Sequence, residues 1–343
     1  MRHFNKIMIL LATILYIGIT PVSADNSGKD TINADNNYSI TANTQFDSPE
    51  LKKIKQLNDK LFTSIMKNTP SIMYDMSIEP AKAHGKKVFE DFYKNYGKVI
   101  RENEITLIKN YGVNVKEPTS EKSFTIPRKY TIGYEIKFPA MFAENIFSIY
   151  TFTHENNQYH ITIVYVKTDD AWKLYAFRIG AYSLLNQTAI DLYKRAQLLE
   201  QKGHTIMALL WLSNIKSYLK PSPFAYYPQE KDILEYQQKL TDKIDQKHDF
   251  PIEITSIESK PKLYTVSGVF VQEDLVPVIK YRSTLYDKSE AVLKVEADAI
   301  TKKIENIFPG ITVYQNNLLF QIFPPEGEDS DNKKSKAVYT EIK

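Results

Sequence analysis

The stretch IFSIYTFTHENNQYHITIVYVKTDDAWKLYAFRIGAY, residues 146–182, decides the fold of this chain. Apolar and polar side chains alternate along it, a two-residue period that is typical of strands packed against a core. Polar connections at 155–158 and 167–170 interrupt the pattern, and connections this short favour antiparallel hairpins. We therefore predict one curved antiparallel sheet with four strands, at 124–138, 146–153, 159–166 and 172–179.

Helical periodicity precedes this sheet. Ser48, Pro49 and Glu50 have the pattern of a helix start, and apolar residues then recur at helical spacing to Ile65. A second helix is expected to open at Pro80. Helices packed on one face of a curved sheet make residues 48–182 an α+β domain.

The order of these elements, over about residues 50–182, resembles the nuclear transport factor two-like, or cystatin-like, cone-shaped domains. In that family helices lead and long antiparallel strands wrap round them, and the last strand often reads like residues 170–174 here, DAWKL. The resemblance implies a cone-like pocket, which some members use for catalysis and others for small ligands or partner proteins. It implies no universal catalytic residues.

Helical spacing returns at Thr188, and residues 189–222 resemble a single tetratricopeptide unit. The resemblance depends on small and apolar residues that let two helices approach closely: Ala196, Leu199, Gly203, Ala208, Leu212, Ile215 and Pro221. No second copy follows. A further helix at 229–246 is expected to cover the pair, which gives a helical region over 183–248.

A small α+β domain is predicted over 249–323. Its strands are expected at 252–257, 262–271, 275–284, 311–314 and 318–323, with a helix that Asp287 caps and Glu290 supports as in a capping box. The charged residues 324–343 are predicted to form a disordered tail.

The N-terminal 24 residues have the pattern of a cleavable signal peptide. Arg2 and Lys6 precede an apolar run from Ile7 to Ile19, and small residues end at Ala24. The alternative, a membrane anchor, needs about 20 apolar residues. Residues 25–47 are predicted to be a flexible leader. We expect a bacterial protein that is exported to the periplasm or secreted, without disulfides because the chain has no cysteine.

The net charge and the absence of common motifs argue against several classes of function. The net charge is +3, which gives no electrostatic reason to expect nucleic acid as a partner. Phosphate-binding glycine loops, nucleophile elbows and paired metal histidines on a helix are absent from the sequence. No catalytic residue, metal site or cofactor is therefore predicted.

Two groups of polar residues could carry chemistry, and each also has a simpler structural role. His154, Glu155 and His160 flank a predicted turn and could hold zinc, but the expected register places the two rings diagonally, so a solvated hairpin tip is preferred. Asp169 and Asp170 form an acidic pair whose simplest role is to make a turn.

Aromatic residues give two candidate sites. Those on the predicted strands could line a cone pocket: Tyr134, Tyr150, Tyr159, Tyr165 and Trp172. Those around the helical pair could form a groove for a partner: Tyr193, Trp211, Tyr218, Tyr226 and Tyr227, with Phe224 beside them. Ordinary core packing is the alternative for both sets.

The sequence thus favours a non-enzymatic binding or scaffolding protein whose partner is another envelope or secreted protein. The alternative is a small-ligand carrier, hydrolase or isomerase that uses the cone pocket. The carrier or enzyme hypothesis predicts a deep cavity with a buried carboxylate or histidine within residues 80–180. An interior filled by side chains would favour the binding protein instead.

Overall fold

A computed structural model describes residues 23–24, 30–35, 37–43, 47–129, 131, 133–271, 274–314, 316–326 and 334–342. The predicted signal peptide lies outside these residues except for Ser23 and Ala24. The chain divides into two compact units. Unit 1 comprises the residues up to Asn186 together with 217–228, and unit 2 comprises 187–216 and the residues from Gln229 onward.

Eight α-helices lie within the described residues, and a short 3-10 helix spans Ile215–Tyr218. The α-helices are α1 Pro49–Met66, α2 Pro70–Met76, α3 Glu79–Lys82, α4 Lys86–Arg101, α5 Ala189–Gln201, α6 Thr205–Ser213, α7 Glu230–Lys247 and α8 Glu290–Ile307.

The strands of the described residues are numbered in chain order. They are β1 Ser23–Ala24, β2 Asp30–Asp35, β3 Tyr38–Asn43, β4 Thr106–Val115, β5 Ser123–Ile126, β6 Arg128–Lys129, β7 Glu135–Pro139, β8 Glu144–His154, β9 Asn157–Thr168, β10 Ala171–Leu184, β11 Gln187–Thr188, β12 Ala225–Tyr226, β13 Ile252–Glu253, β14 Lys262–Val271, β15 Asp274–Arg282, β16 Asn317–Phe323 and β17 Lys336–Glu341.

The main sheet of unit 1 is strongly curled and antiparallel, in the order β10-β9-β8-β4-β3-β2. Its long hairpins turn at Glu155-Asn156 and at Asp169-Asp170, and all four of these residues have positive φ. Asn and Asp tolerate that conformation best after glycine, which explains the presence of Asn156, Asp169 and Asp170 at the ends of the alternating runs. The predicted α+β class, with helices on a curved antiparallel sheet, is confirmed. The single strand predicted at 124–138 is wrong, because this stretch forms β5 and β7, which pair with each other in a separate small sheet.

Both faces of this sheet are buried. Along β8, Ile146, Tyr150 and Phe152 belong to the core against the helices. Phe147 points to the opposite face and packs against Phe124 and Phe138, which belong to the small sheet β12-β7-β5. Burial of alternate residues on the two sides accounts for the nearly continuous apolar run in β8 and β9.

The helices of unit 1 agree with the sequence prediction at the start of α1 and differ from it afterwards, beginning with the short helix α2, which was not predicted. Ser48 caps α1 as predicted, because its Oγ accepts a hydrogen bond of 3.2 Å from the Leu51 amide. The helix expected to open at Pro80 is instead two helices, the short α3 and then α4. Gly85, with φ of 80°, separates them, since only glycine adopts that backbone conformation without strain.

The prediction of a flexible leader over 25–47 is wrong for residues 30–35, which form β2, and for residues 38–43. The latter form β3, which pairs with β4, and the side chain of Ile40 is fully buried. The isolated apolar residues of this segment are too few to form a core alone. They are buried because the existing sheet supplies both backbone partners and apolar neighbours.

Unit 2 combines helices with a five-stranded sheet in the order β13-β14-β15-β16-β17. The helix α5 begins with a capping box between Thr188 and Asp191, and α6 packs against both α5 and α7. Strands β15 and β16 are parallel, and the helix α8 connects them. The helices α5, α6 and α7 of the predicted helical region therefore belong to one compact unit with the C-terminal α+β domain, whereas residues 217–228 of that region belong to unit 1.

Three local predictions in unit 2 are corrected. The helix α8 begins after Ser289 rather than after Asp287, and residues 311–314 are turns rather than a strand. The tail expected to be disordered over 324–343 contains β17, which pairs with β16 and buries Val338 and Thr340. As in β3, pairing with a distant strand decides the conformation.

Candidate functional site

Side chains fill the space between the helices and the concave face of the sheet in unit 1. Tyr150 and Tyr165, two of the predicted pocket residues, are buried there. The ring of Phe62 packs edge-on against Tyr150 at 5.0 Å between centroids, and Phe92 packs against Phe177 at 5.1 Å. This interior is a packed core.

A polar network lies inside this core. Asn58 of α1 donates hydrogen bonds from Nδ2 to the Tyr150 hydroxyl, at 2.9 Å, and to Ser148 Oγ, at 3.2 Å. Ser148 Oγ donates in turn to Asn110 Oδ1 of β4, at 2.7 Å. Asn58, Asn110 and Ser148 were not predicted as site residues, because a single polar residue in the sequence does not indicate which residues it contacts in the fold.

The remaining predicted pocket residues lie elsewhere. Tyr159 stacks on Phe152 at the edge of the core. Tyr134 is on the opposite side of the sheet, where its hydroxyl is 3.1 Å from His160 Nδ1. Trp172 lines an open surface groove of about 550 Å³ between α1 and the β9–β10 hairpin. The five residues are therefore not brought together in one pocket.

The groove at Trp172 is lined by charged side chains of both signs. Lys53 is paired with Glu50 at 3.1 Å, and Lys167 is paired with Glu144 at 2.6 Å. The other lining residues are Gln56, Leu57, Lys60, Asp170 and Ala171. Because the charges are mixed and largely paired at the surface, the groove gives no clear preference for a ligand.

His160 is fully buried on the face of the sheet opposite the helices. Its ring stacks on Tyr182, with centroids 4.0 Å apart. Burial lowers the pKa of His160 to about 3, because the charged imidazolium would lose its hydration. His160 Nε2 has no protein partner. The side chain is therefore neutral at ordinary pH.

The zinc alternative at His154 and His160 conflicts with the geometry. The register pairs His154 with Asn157 and Thr151 with His160, a shift of two residues from the expected hairpin. His154 therefore shares a face with Phe152, whereas His160 points to the other face of the sheet. The hairpin turns at Glu155-Asn156, one residue earlier than expected.

Glu135 of β7 is the buried carboxylate in the range where the enzyme hypothesis expects one. Burial raises the pKa of Glu135 to about 7, and the nearby charges of Arg128 and Lys137 oppose that shift. Its Oε2 atom has no protein partner. Perturbed pKa values often mark functional sites, but the β12-β7-β5 sheet places Glu135 away from the concave interior.

The residues of the predicted partner groove are divided between the two units. Tyr193 and Trp211 belong to unit 2, and Tyr218, Tyr226 and Tyr227 belong to unit 1. Trp211 is buried under Arg195, whose Cζ lies 3.8 Å from the ring centroid, and Phe270 packs against its ring. Tyr227 is buried as well. These two residues are packing residues.

Unit 2 instead exposes an apolar surface on α5 and on the turns after α8. We call it the Leu198 face, and it consists of Arg195, Leu198, Lys202, Val313 and Tyr314. The first three recur at helical spacing, so they share one side of α5. Leu198 is 58% exposed and Val313 is 57% exposed. Lys202 contacts Tyr314, with its Nζ 5.8 Å from the ring centroid, which joins the two segments.

The cations of the Leu198 face are bound to neutral groups. Arg195 Nη1 donates to Gln187 Oε1 at 3.4 Å, and Lys202 Nζ donates to the Tyr314 hydroxyl at 3.4 Å. Neither contacts a carboxylate within the part of the chain that the structure describes. In the sequence Leu198 is one of two adjacent leucines, and which of them is exposed depends on how α5 packs.

Comparison with known proteins does not assign this chain to a family. No protein-family model matches the chain, and neither a curated protein nor a solved structure matches it. In the described residues, none of the helices has the length and apolar character needed to cross a membrane.

Proposed function

We propose that this chain is an exported, non-catalytic binding protein that docks a partner protein through the Leu198 face of unit 2. The observation that carries the proposal is the exposure of Leu198 and Val313 beside two cations bound to neutral groups. Single exposed apolar residues are ordinary, but clustered ones on a folded surface often mark interaction sites.

The chemistry of this face indicates the kind of partner. Leu198 and Val313 can be covered by apolar side chains, and Tyr314 adds an aromatic ring with a hydroxyl group, a residue type enriched at binding hot spots. Arg195 and Lys202 can pair with carboxylates, which increases the association rate. An apolar segment flanked by acidic residues would meet both requirements, in an envelope or secreted partner.

The filled interior of unit 1 supports this proposal over a ligand carrier or a hydrolase. Phe62, Tyr150 and Phe177 occupy the region where a cone pocket would lie. Export is supported by the N-terminal pattern of the sequence, and the resemblance to cone-shaped and tetratricopeptide domains stays a prediction.

Crosslinking tests the proposal. A photoreactive amino acid at position 198 of the full chain is expected to crosslink one protein from an extract of the source cells. Leu198→Asp should weaken binding of that protein, once purified, about 30-fold, the loss typical of a hot spot. The matched control is Val295→Asp in α8 of the same unit, because Val295 is 70% exposed and lies outside the face.

Two outcomes contradict the proposal. Equal binding by the Leu198→Asp variant and the wild type would show that the face is not used. Loss of binding with Val295→Asp alone would place the docking surface on α8 instead.

A further inference from the structure

The interface between α1 and the concave sheet of unit 1 contains polar atoms that the protein itself does not satisfy. Asn58, Asn110 and Ser148 are fully buried, and Tyr165 is buried beside them. Apolar residues of the same helix and sheet, such as Ile54, surround them. Polar side chains in such a place are expected to have hydrogen-bond partners.

Part of the network is complete within the protein. The Asn58 amide donates to both Tyr150 and Ser148, and Ser148 donates to Asn110. These bonds join α1 to β8 and β4. They therefore fix the position of α1 along the sheet.

Three atoms of the network have no protein partner: Asn58 Oδ1, Asn110 Nδ2 and the Tyr165 hydroxyl. The first accepts hydrogen bonds, the second donates them, and the third does either. In the register of β8 and β9, Tyr165 pairs with Ile146, two residues before Ser148, so Tyr165 and Ser148 lie on the same face of the sheet, against the helices. The unsatisfied atoms thus come from α1, β4 and β9 and belong to one cluster.

We propose that this cluster binds ordered water between α1 and the sheet. A buried water molecule typically makes about three hydrogen bonds, and water both donates and accepts, as an acceptor, a donor and a hydroxyl require. An ion is a poor occupant because the cluster has no charged side chain to offset the cost of burying it. The water would complete the network that holds α1.

The variant Tyr165→Phe removes the Tyr165 hydroxyl, and the direction in which it changes the folded-to-unfolded ratio tests the proposal. If the hydroxyl binds water, Tyr165→Phe breaks a hydrogen bond, and the folded-to-unfolded ratio should fall about fivefold. If the hydroxyl has no partner, its removal relieves an unsatisfied group, and the ratio should stay the same or rise. Denaturant unfolding of the full chain measures the ratio.

Tyr150→Phe is the matched control, because the Tyr150 hydroxyl accepts a hydrogen bond from Asn58. Its effect calibrates the loss of one hydrogen bond in the same core. A high-resolution crystal structure of the wild-type chain is the second measurement, and it does not depend on the folding of a variant. Density for water within hydrogen-bond distance of at least two of the three atoms supports the proposal. A dry cluster in that structure overturns it, as does an unchanged or raised ratio for Tyr165→Phe.

Discussion

His160 shows how burial controls the chemistry of a single residue. The imidazole is enclosed by Tyr134 and Tyr182 on a face of the sheet that solvent does not reach. A histidine in the unfolded chain titrates near 6.5, whereas burial lowers the pKa of folded His160 to about 3. Between these two pH values, His160 is therefore protonated in the unfolded chain and neutral in the folded protein.

This difference gives His160 an unfavourable contribution to stability in acid. As the pH falls from 6.5 towards 3, the unfolded state gains a proton at this position and the folded state does not. The contribution to the free energy of unfolding at pH 4.5 is a loss of about 2 to 3 kcal/mol. Glu135 contributes in the opposite direction over this range, because burial raises its pKa to about 7. Compared with the wild type, His160→Gln is therefore expected to gain about 2 to 3 kcal/mol of stability at pH 4.5 relative to pH 7. Urea unfolding at the two pH values measures this difference.

His84→Gln is the control for this experiment, since His84 is exposed. It should leave the pH dependence as in the wild type. Parallel stability curves for the wild type and His160→Gln would contradict the assignment of the acid sensitivity to His160.

The sequence predicts the secondary structure around the candidate site residues but not their contacts. The strand positions of Tyr150 and Tyr165 were predictable from the alternation of residue types. Their place in a packed core was not, because it depends on Phe62 and other residues of the helices. Asn58 and Asn110 are joined through Ser148 only in the folded protein, so no local pattern in the sequence indicates their network.

At the scale of elements, Gly180 of β10 allows the segment 217–228 to approach the sheet. A Cβ atom at this position would overlap the backbone of Pro221. Backbone atoms cannot rotate away as a side chain can, so the contact requires a glycine.

We expect Gly180→Ala to reduce the free energy of unfolding by about 2 kcal/mol or more. Gly112→Ala in β4 is the control, because a Cβ atom there would be 4.0 Å from the Thr41 carbonyl oxygen, an ordinary contact. It should change stability by less than about 1 kcal/mol. Thermal unfolding of both variants measures the difference, and equal effects would show that Pro221 does not restrict position 180.

The elements that the sequence predicted well are those with local signals. The hairpins β8–β9 and β9–β10 follow from alternation and turn residues, and α1 follows from its cap and apolar spacing. The strands β3 and β17 were missed because their few apolar residues become buried only by pairing with β4 and β16. Such pairing joins residues far apart in the chain and leaves no local pattern.

For the whole molecule, the division into two units predicts that damage to one core is confined to that unit. Val338 is 4% exposed on β17, whereas its neighbour Tyr339 is 43% exposed. Val338→Asp should therefore increase hydrogen exchange throughout the sheet of unit 2, since it buries an unpaired charge. Exchange in β8 and β9 of unit 1 should stay slow.

Tyr339→Asp is the control, because the adjacent side chain points to solvent and should tolerate a carboxylate. Faster exchange in β8 and β9 after Val338→Asp would show that the two units unfold together.

Unit 1 is discontinuous in the chain, because residues 217–228 supply β12 to its small sheet and follow residues 187–216 of unit 2. During translation, domains generally fold as units from the N-terminus. Here the ribosome must make two helices of the second unit before it makes the strand that completes the first. The nascent chain therefore holds β7 without its β12 neighbour for that interval, and a chaperone that binds unpaired strand edges has a defined period in which to act.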